Sequence, residues 1–505
     1  MPRPDRRALV PMVLWAASLA FGAAGAAFAD DGPPVTVAVS GGAIRGEARG
    51  AGAVFRGVPF AAPPVGERRW TPPGPIQPWN GTRDASVSGA PCLQRSYGWN
   101  AKDAADSRED CLYLDIRTPA LKPAAPLPVM VWIHGGANRA GSARGTVESS
   151  LVEQGVVLVS IQYRLGAFGF LSHPGLTVEG GGASGNYALM DQIAALRWVK
   201  GNIARFGGDP GNVTIFGHSA GGQDVGLLML APEARGLFRK AIEQSGTAGF
   251  GLPPRSLAQN EKLGEDLARA VGAPDLAGLR AASGPALLDA ADRLKPPIPD
   301  DGFIWLQAVV DGAVVREAPA KTLAAGRQAR VLLIVGNSAS ELSLYGGAAN
   351  ARNWITTNYG GGAGRALAFY EIEGEAPVSD RTAGQIAADT GFRCPAIWVA
   401  ARQVETGAGV WRYELGVAAP GSGPVRHGSE LPFVFDTSPA GSSQAAWPRL
   451  QAYWANFART GDPNGAGLTP WPTADATGRA LDFTPSGPVP ARGGHEALCR
   501  LLPRP

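Results

Sequence analysis

Residues 212–222 read NVTIFGHSAGG. The first five are a short apolar, β-branched run, which predicts a buried strand over Asn212–Phe216. The apolar run that follows predicts a helix over Gly221–Leu230. Between them lies Gly217-His218-Ser219-Ala220-Gly221, a G-x-S-x-G pentapeptide. The pattern alone is common, and a serine that merely caps a helix is its plainer reading. Its position between a strand and a helix is the setting of a nucleophile elbow, a sharp turn that lifts a serine hydroxyl clear of a sheet. Glycines on both sides permit such a turn. The following helix directs backbone N–H groups toward developing negative charge.

Working outward, further short apolar runs occupy Leu112–Ile116, Leu127–Ile133 (LPVMVWI), Val156–Tyr163, Arg330–Val335 and Gly409–Leu415. Weaker β-like runs lie at Val35–Val39 and Ala53–Phe60. Asn186–Arg205 carries Leu189, Ile193, Leu196 and Val199 on one helical stripe, and Trp447–Thr460 reads as an amphipathic helix. Continuous apolar strands alternating with helices predict an α/β chain with a mostly parallel sheet covered on both faces. Residues 61–110, rich in proline and glycine, read as an extended surface excursion. Residues 255–325 read as helical and polar, and 346–390 as poorly patterned. The stretch Tyr345–Gly364 fits either a lid or an exposed loop.

A serine nucleophile needs a base, and the chain has only five histidines. In an elbow architecture the order is serine, acid, histidine. His134, His173 and His218 therefore fall out. His427 and His495 remain, and His427 is favoured because it lies in a glycine-bearing loop after the GVWRYEL run. The acid belongs at the end of a late strand. Glu341 follows RVLLIV; Asp311 is the alternative, but Asp311-Gly312 resembles a hairpin turn. The acid's role is to hold the imidazole tautomer and stabilise the imidazolium. His134-Gly135-Gly136-Ala137 directly follows LPVMVWI. Its backbone N–H groups, with that of Ala220, can form an oxyanion hole, where one donor is typically worth about 3 kcal/mol.

Composition supports a large globular core: 45% of the 505 residues are hydrophobic and 18% charged. The 69 glycines and 43 prolines predict many turns rather than a helical bundle. The first 29 residues carry Arg3, Arg6 and Arg7, an apolar stretch, and Ala27-Phe28-Ala29. That pattern predicts a leader removed at export, whether by the general or the twin-arginine route. Without it the charge drops from +3 to about +1. No basic block remains, so nucleic acid is not an expected partner, and no later segment is long and apolar enough to span a bilayer. Export to a periplasmic or extracellular space lets disulfides persist. The four cysteines are Cys92, Cys111, Cys394 and Cys499, none in zinc-finger spacing.

Taken together, FRGVPFAAPPVGERRW, SREDCLYLDI, VMVWIHGG, SIQYRLGAFGFL, GNYALMDQIAALRWVKGNIARFGGDPGNVTIFGHSAGG, Gln244-Ser245-Gly246, HGSELPFVF and WANFARTGDPN resemble the type-B carboxylesterases almost end to end. That family also contains the cholinesterases and neuroligins. The resemblance implies an α/β-hydrolase fold over residues 30–505, with large loop or cap insertions. It implies Ser219 as nucleophile, Glu341 as acid, His427 as base, and Gly136, Ala137 and Ala220 as oxyanion donors. Ser245 matches a serine that supports the acid. A Cys92–Cys111 disulfide is implied, which leaves Cys394 and Cys499 to pair with each other. Three positions depart from the family pattern. His218 stands where Glu is usual, Ala137 replaces a third glycine, and Asn138 replaces an aromatic. Asn138 is expected to make one wall of the site smaller and more polar.

The expected activity is hydrolysis of small carboxylic esters through an acyl-enzyme, by a monomer that needs no metal or organic cofactor. Its kcat/KM is expected to fall on the acidic side of neutrality as His427 protonates. The alternatives are a non-catalytic, neuroligin-like binding protein and an amide or carbamate hydrolase using the same residues.

Overall fold

The computed structural model describes residues 33–249, 254–294, 301–436 and 449–502. The expected leader lies outside them, as does Trp447.

Among the described residues, twelve strands in order form the spine: β1 (Pro34–Val39), β2 (Gly42–Arg49), β3 (Gly52–Pro59), β4 (Tyr113–Thr118), β5 (Leu127–Ile133), β6 (Val157–Ile161), β7 (Gly208–His218), β8 (Lys240–Gln244), β9 (Leu332–Ser338), β10 (Val410–Leu415), β11 (Arg479–Thr484) and β12 (Gly487–Arg492). They pair in the order β1-β2-β3-β4-β6-β5-β7-β8-β9-β10-β11-β12, and Thr82–Asp84 adds a side strand on β2. From β6 to β11 every neighbouring pair is parallel, while the flanking pairs are antiparallel. The chain thus has the mostly parallel sheet its apolar runs predict, in the α/β-hydrolase arrangement that the resemblance implies.

β5 shows how the sequence builds two layers. Side chains alternate across a strand. Val129, Val131 and Ile133 enter one buried cluster, with Leu196 and Val199 of helix α1 (Tyr187–Asn202). Met130 and Trp132 enter the other, with Tyr453 and Trp454 of helix α4 (Leu450–Thr460). Between these helices in sequence lie α2 (Ala220–Leu230), which starts at the elbow, and α3 (Cys394–Glu405). α1 is shorter than the Asn186–Arg205 periodicity suggests. It tightens to a 3-10 turn at Ile203–Phe206 and stops at Gly207, whose φ is 79°.

Two expectations change. The 61–110 segment is not only a surface excursion. Trp70 is buried and its indole N–H donates to the Ala167 carbonyl at 2.7 Å, so this stretch contributes to the core. The Tyr345–Gly364 stretch is not a bare loop. Ile355 and Tyr359 on the helix Ala351–Tyr359 pack with Ala366, Ile386 and Leu498 in a satellite core. Disulfides join Cys92 to Cys111 and Cys394 to Cys499. The second ties the C-terminal turn Glu496–Cys499 to the start of α3. Among the described residues, no helix is long and apolar enough to cross a membrane.

Candidate active site

Parallel sheets gather loops at the carboxyl ends of their strands. Here those ends present the candidate residues: Ser219 after β7, Gly136 and Ala137 after β5, Glu341 after β9, and His427 after β10.

Ser219 has φ 59° and ψ −125°, a conformation that costs an L-residue energy and persists only where its surroundings enforce it. The enforcement is steric. A Cβ at Gly217 would meet the Gly221 carbonyl oxygen at 2.4 Å, and one at Gly221 would meet the Ile133 oxygen at 2.1 Å. The Ser219 amide donates to the Gln244 carbonyl at 2.8 Å, tying the turn to β8.

The β5 loop turns just as sharply. Gly136 has φ 116°, Ala137 56° and Asn138 55°. Only glycine fits at 136, where a Cβ would lie 2.0 Å from the Ala140 oxygen. Among the described residues, the Gly136 and Ala137 amides have no acceptor. Ala220 opens α2, so its amide has no partner within the helix. The three donors expected for an oxyanion are therefore uncommitted.

Glu341 is buried. Its Oε1 accepts the Ser338 amide at 2.7 Å and the Ser245 hydroxyl at 2.8 Å. Its Oε2 lies 2.5 Å from His427 Nδ1. That contact fixes which imidazole nitrogen faces the acid and leaves Nε2 available to a proton on the other side. The His427 loop is closed on itself by the Arg426 amide, which donates to Ser429 Oγ at 2.9 Å.

The remaining candidates do other work. His495 lies 3.0 Å from Asp389 at the C-terminal end of the chain. Asp311 accepts the amides of Ala313 and Val315, as a turn carboxylate does. His173 caps a short helix by accepting the Gly175 amide. His134 stacks on Tyr163, with ring centroids 4.5 Å apart, and burial pushes its imidazole down to about 4. It is thus a neutral brace beneath the β5 loop.

Asn138 does not form the polar wall expected of it. It is 1% exposed and turns inward, donating to Asp224 Oδ1 at 3.2 Å. Gln192 donates to the other Asp224 oxygen at 2.6 Å. The positive φ at Asn138 swings the side chain under the loop rather than into the site. A wall does exist, and it is apolar: Ala137, Leu306, Leu342 and Phe392 cluster with Ala220, and the Phe392 ring lies 5.2 Å from that of His427. Phe392 sits on a single widened π-turn, Asp389–Arg393, where helices often carry functional side chains. No motif announces it. One further polar residue also escaped the reading of the sequence: Glu430, buried beside Ser245 and Ser338. His218, excluded as a base by chain order, is buried.

Burial pushes the Asp224 carboxyl up to about 7. The folded chain then holds a proton that the unfolded chain loses near pH 4, so stability falls as pH rises from about 4 to about 7. Asp224→Asn should lessen that fall by up to about 4 kcal/mol across the window. Melting temperatures of wild type and variant at pH 5 and pH 8 check it. Identical slopes would show that Asp224 carries no such proton.

Comparison with known proteins agrees with the fold. The model of the carboxylesterase family matches residues 33–357 and 367–489. The chain is 33% identical to the fumonisin B1 esterase of Sphingopyxis macrogoltabida, covering 93% of this chain and 90% of that one. It is 34% identical to carboxylesterase 4A of Bos taurus, covering 83% and 85%. Among solved structures it superposes on a carboxylesterase of Geobacillus stearothermophilus with a TM-score of 0.77, at 31% identity over 93% of this chain and all of that chain. A PNB esterase gives 0.79 at 30% identity, covering 92% and 99%.

Proposed function

The chain belongs to the carboxylesterase family and is a carboxylic ester hydrolase, and on that premise we propose that it works through Ser219, His427 and Glu341. Ser219 Oγ attacks the acyl carbon while His427 Nε2 takes its proton. The amides of Gly136, Ala137 and Ala220 receive the negative charge of the tetrahedral intermediate. As the intermediate collapses, His427 returns the proton to the leaving alcohol. Water then attacks the acyl-enzyme, with His427 again as base; the bond from Ser219 Oγ to the acyl carbon breaks, His427 returns the proton to Ser219 Oγ, and the carboxylic acid leaves. Glu341, in contact with His427 Nδ1, holds the imidazole in place and steadies the imidazolium.

The observation that carries this reading is the 2.5 Å contact between His427 Nδ1 and Glu341 Oε2, on loops beside a serine held in a strained elbow. The apolar wall of Ala137, Leu306, Leu342 and Phe392 suits an uncharged acyl group. Two disulfides support export, and with it a cleaved leader at residues 1–29 and one working unit over 30–505. Small-molecule esters taken up by a monomer complete the reading.

Steady-state turnover of p-nitrophenyl acetate, set beside p-nitroacetanilide, tests it. Rapid cleavage of the ester with little of the anilide is expected. The reverse preference would make the chain an amidase on the same scaffold.

A further inference from the structure

His218, next to the nucleophile, faces the base rather than solvent. Its ring centroid is 4.4 Å from that of His427, and its side chain is 8% exposed. Its Nε2 has no hydrogen bond among the described residues, and Glu430 Oε1 lies 3.7 Å away. On the loop side it packs against Gly428, where an added Cβ would lie 3.5 Å from His218 Cε1.

The site therefore holds two buried carboxyls and two imidazoles. Counting hydrogens separates them. Ser245 Oγ lies 2.8 Å from Glu341 Oε1 and 3.1 Å from Glu430 Oε1, yet a hydroxyl has one hydrogen. Glu341 already accepts the Ser338 amide and faces His427 Nδ1, and the shorter contact gives it the Ser245 hydrogen. The second contact is satisfied when Glu430 carries a proton and donates it to Ser245. Burial and the neighbouring Glu341 charge push Glu430 up to about 7, in keeping with that count. His218 is pushed the other way, well below its usual range, by burial and by repulsion from His427. Both groups are then neutral through the weakly acidic range.

The ionisable groups around His218 come from three elements. His427 and Glu430 lie on the loop after β10, and Glu341 on the loop after β9. Tyr413 of β10 lies beside both carboxyls. Across β8, its register partner is the uncharged Gln244.

We propose that His218 is a positioning residue of the hydrolytic site: set against both His427 and Glu430, its ring keeps a neutral group beside the base and leaves Glu341 as the acid in direct contact with His427. Were a carboxylate in that place, the imidazolium would be stabilised twice over. The base would then be lost to protonation at a higher pH.

The test is the pH profile of kcat/KM for p-nitrophenyl acetate, followed by pH-stat in wild type, His218→Glu, His218→Gln and Glu430→Gln. In His218→Glu the pH at which half of kcat/KM is lost on the acid side should rise by about one unit, as an added nearby carboxylate demands. His218→Gln, of similar size and neutral, should leave that midpoint where it is. Glu430→Gln should also leave it, and this arm decides the matter should His218→Glu fail to fold. A midpoint unmoved in His218→Glu, or moved as far in His218→Gln, would overturn the proposal. So would a clear downward shift in Glu430→Gln. A merely structural His218 would lower kcat and melting temperature in every variant without moving the midpoint. The inference rests on His427 being the base. Activity surviving in His427→Ala sinks that underlying reading, whereas an unmoved midpoint with His427→Ala inactive sinks this proposal alone.

Discussion

Ser219→Ala should lose kcat for p-nitrophenyl acetate by roughly 10^5- to 10^6-fold, the scale on which removal of a serine nucleophile acts. The loss should fall on kcat and leave substrate binding nearly intact. The reason is local. Ser219 Oγ is the atom that forms the acyl bond, while the apolar wall of Leu306, Leu342 and Phe392 is untouched by the change. The fold should also survive. The elbow is enforced by the close approach of Gly217 and Gly221 to backbone, not by the serine side chain. A residual rate above the uncatalysed one is expected, because the Gly136, Ala137 and Ala220 amides remain. Measured kcat and KM, with a melting curve to show that the variant is folded, check this result.

His427→Ala should cost nearly as much, and combining it with Ser219→Ala should cost little more. Residues that act as one unit do not add: once the nucleophile has no base, losing the nucleophile as well changes little. Glu341→Gln should cost less, about 10^4-fold, since the imidazole remains but its tautomer is no longer held. These three variants separate the present assignment from its alternatives. His495 lies against Asp389, and Asp311 serves a backbone turn, so Ala at His495 and Asn at Asp311 should leave kcat near wild type. Losses at those positions comparable to His427→Ala would displace His427 and Glu341 from their roles.

Much of the frame was legible because its strands are apolar runs. Leu127–Ile133 coincides with β5, and the runs at Val156, Arg330 and Gly409 lie within two residues of β6, β9 and β10 at their starts. β8 was not legible. Its sequence is Lys240-Ala-Ile-Glu-Gln244, three polar residues in five, yet all five are buried in the parallel core. Glu243 is accommodated there because burial pushes its carboxyl well above the usual range, so it is carried uncharged. Propensity cannot show that, since only the surroundings make a glutamic acid behave as a neutral side chain. The antiparallel pair β11–β12, with its prolines and glycine, was hidden for the opposite reason: it reads as turns.

The candidate site divides in the same way. Motifs that follow strands can be read along the chain, and Ser219, Glu341 and His427 do lie in the turn or loop after β7, β9 and β10. What a side chain faces cannot be read so. Asn138 was expected in the wall and lies beneath the loop, because a positive φ reverses its direction. Phe392 depends on one extra residue in a helical turn. His218 was set aside as a base on chain order, but nothing in the order reveals that its ring would come to rest on His427.

The central claim is that Ser219 is the acylated residue. Its most direct test is to inactivate the folded enzyme with an organophosphate and locate the adduct by mass spectrometry of the digested chain. The account predicts one adduct, on Ser219, at full loss of activity, and none in Ser219→Ala. An inactivating adduct on any other residue, or full inactivation with Ser219 unmodified, would contradict it.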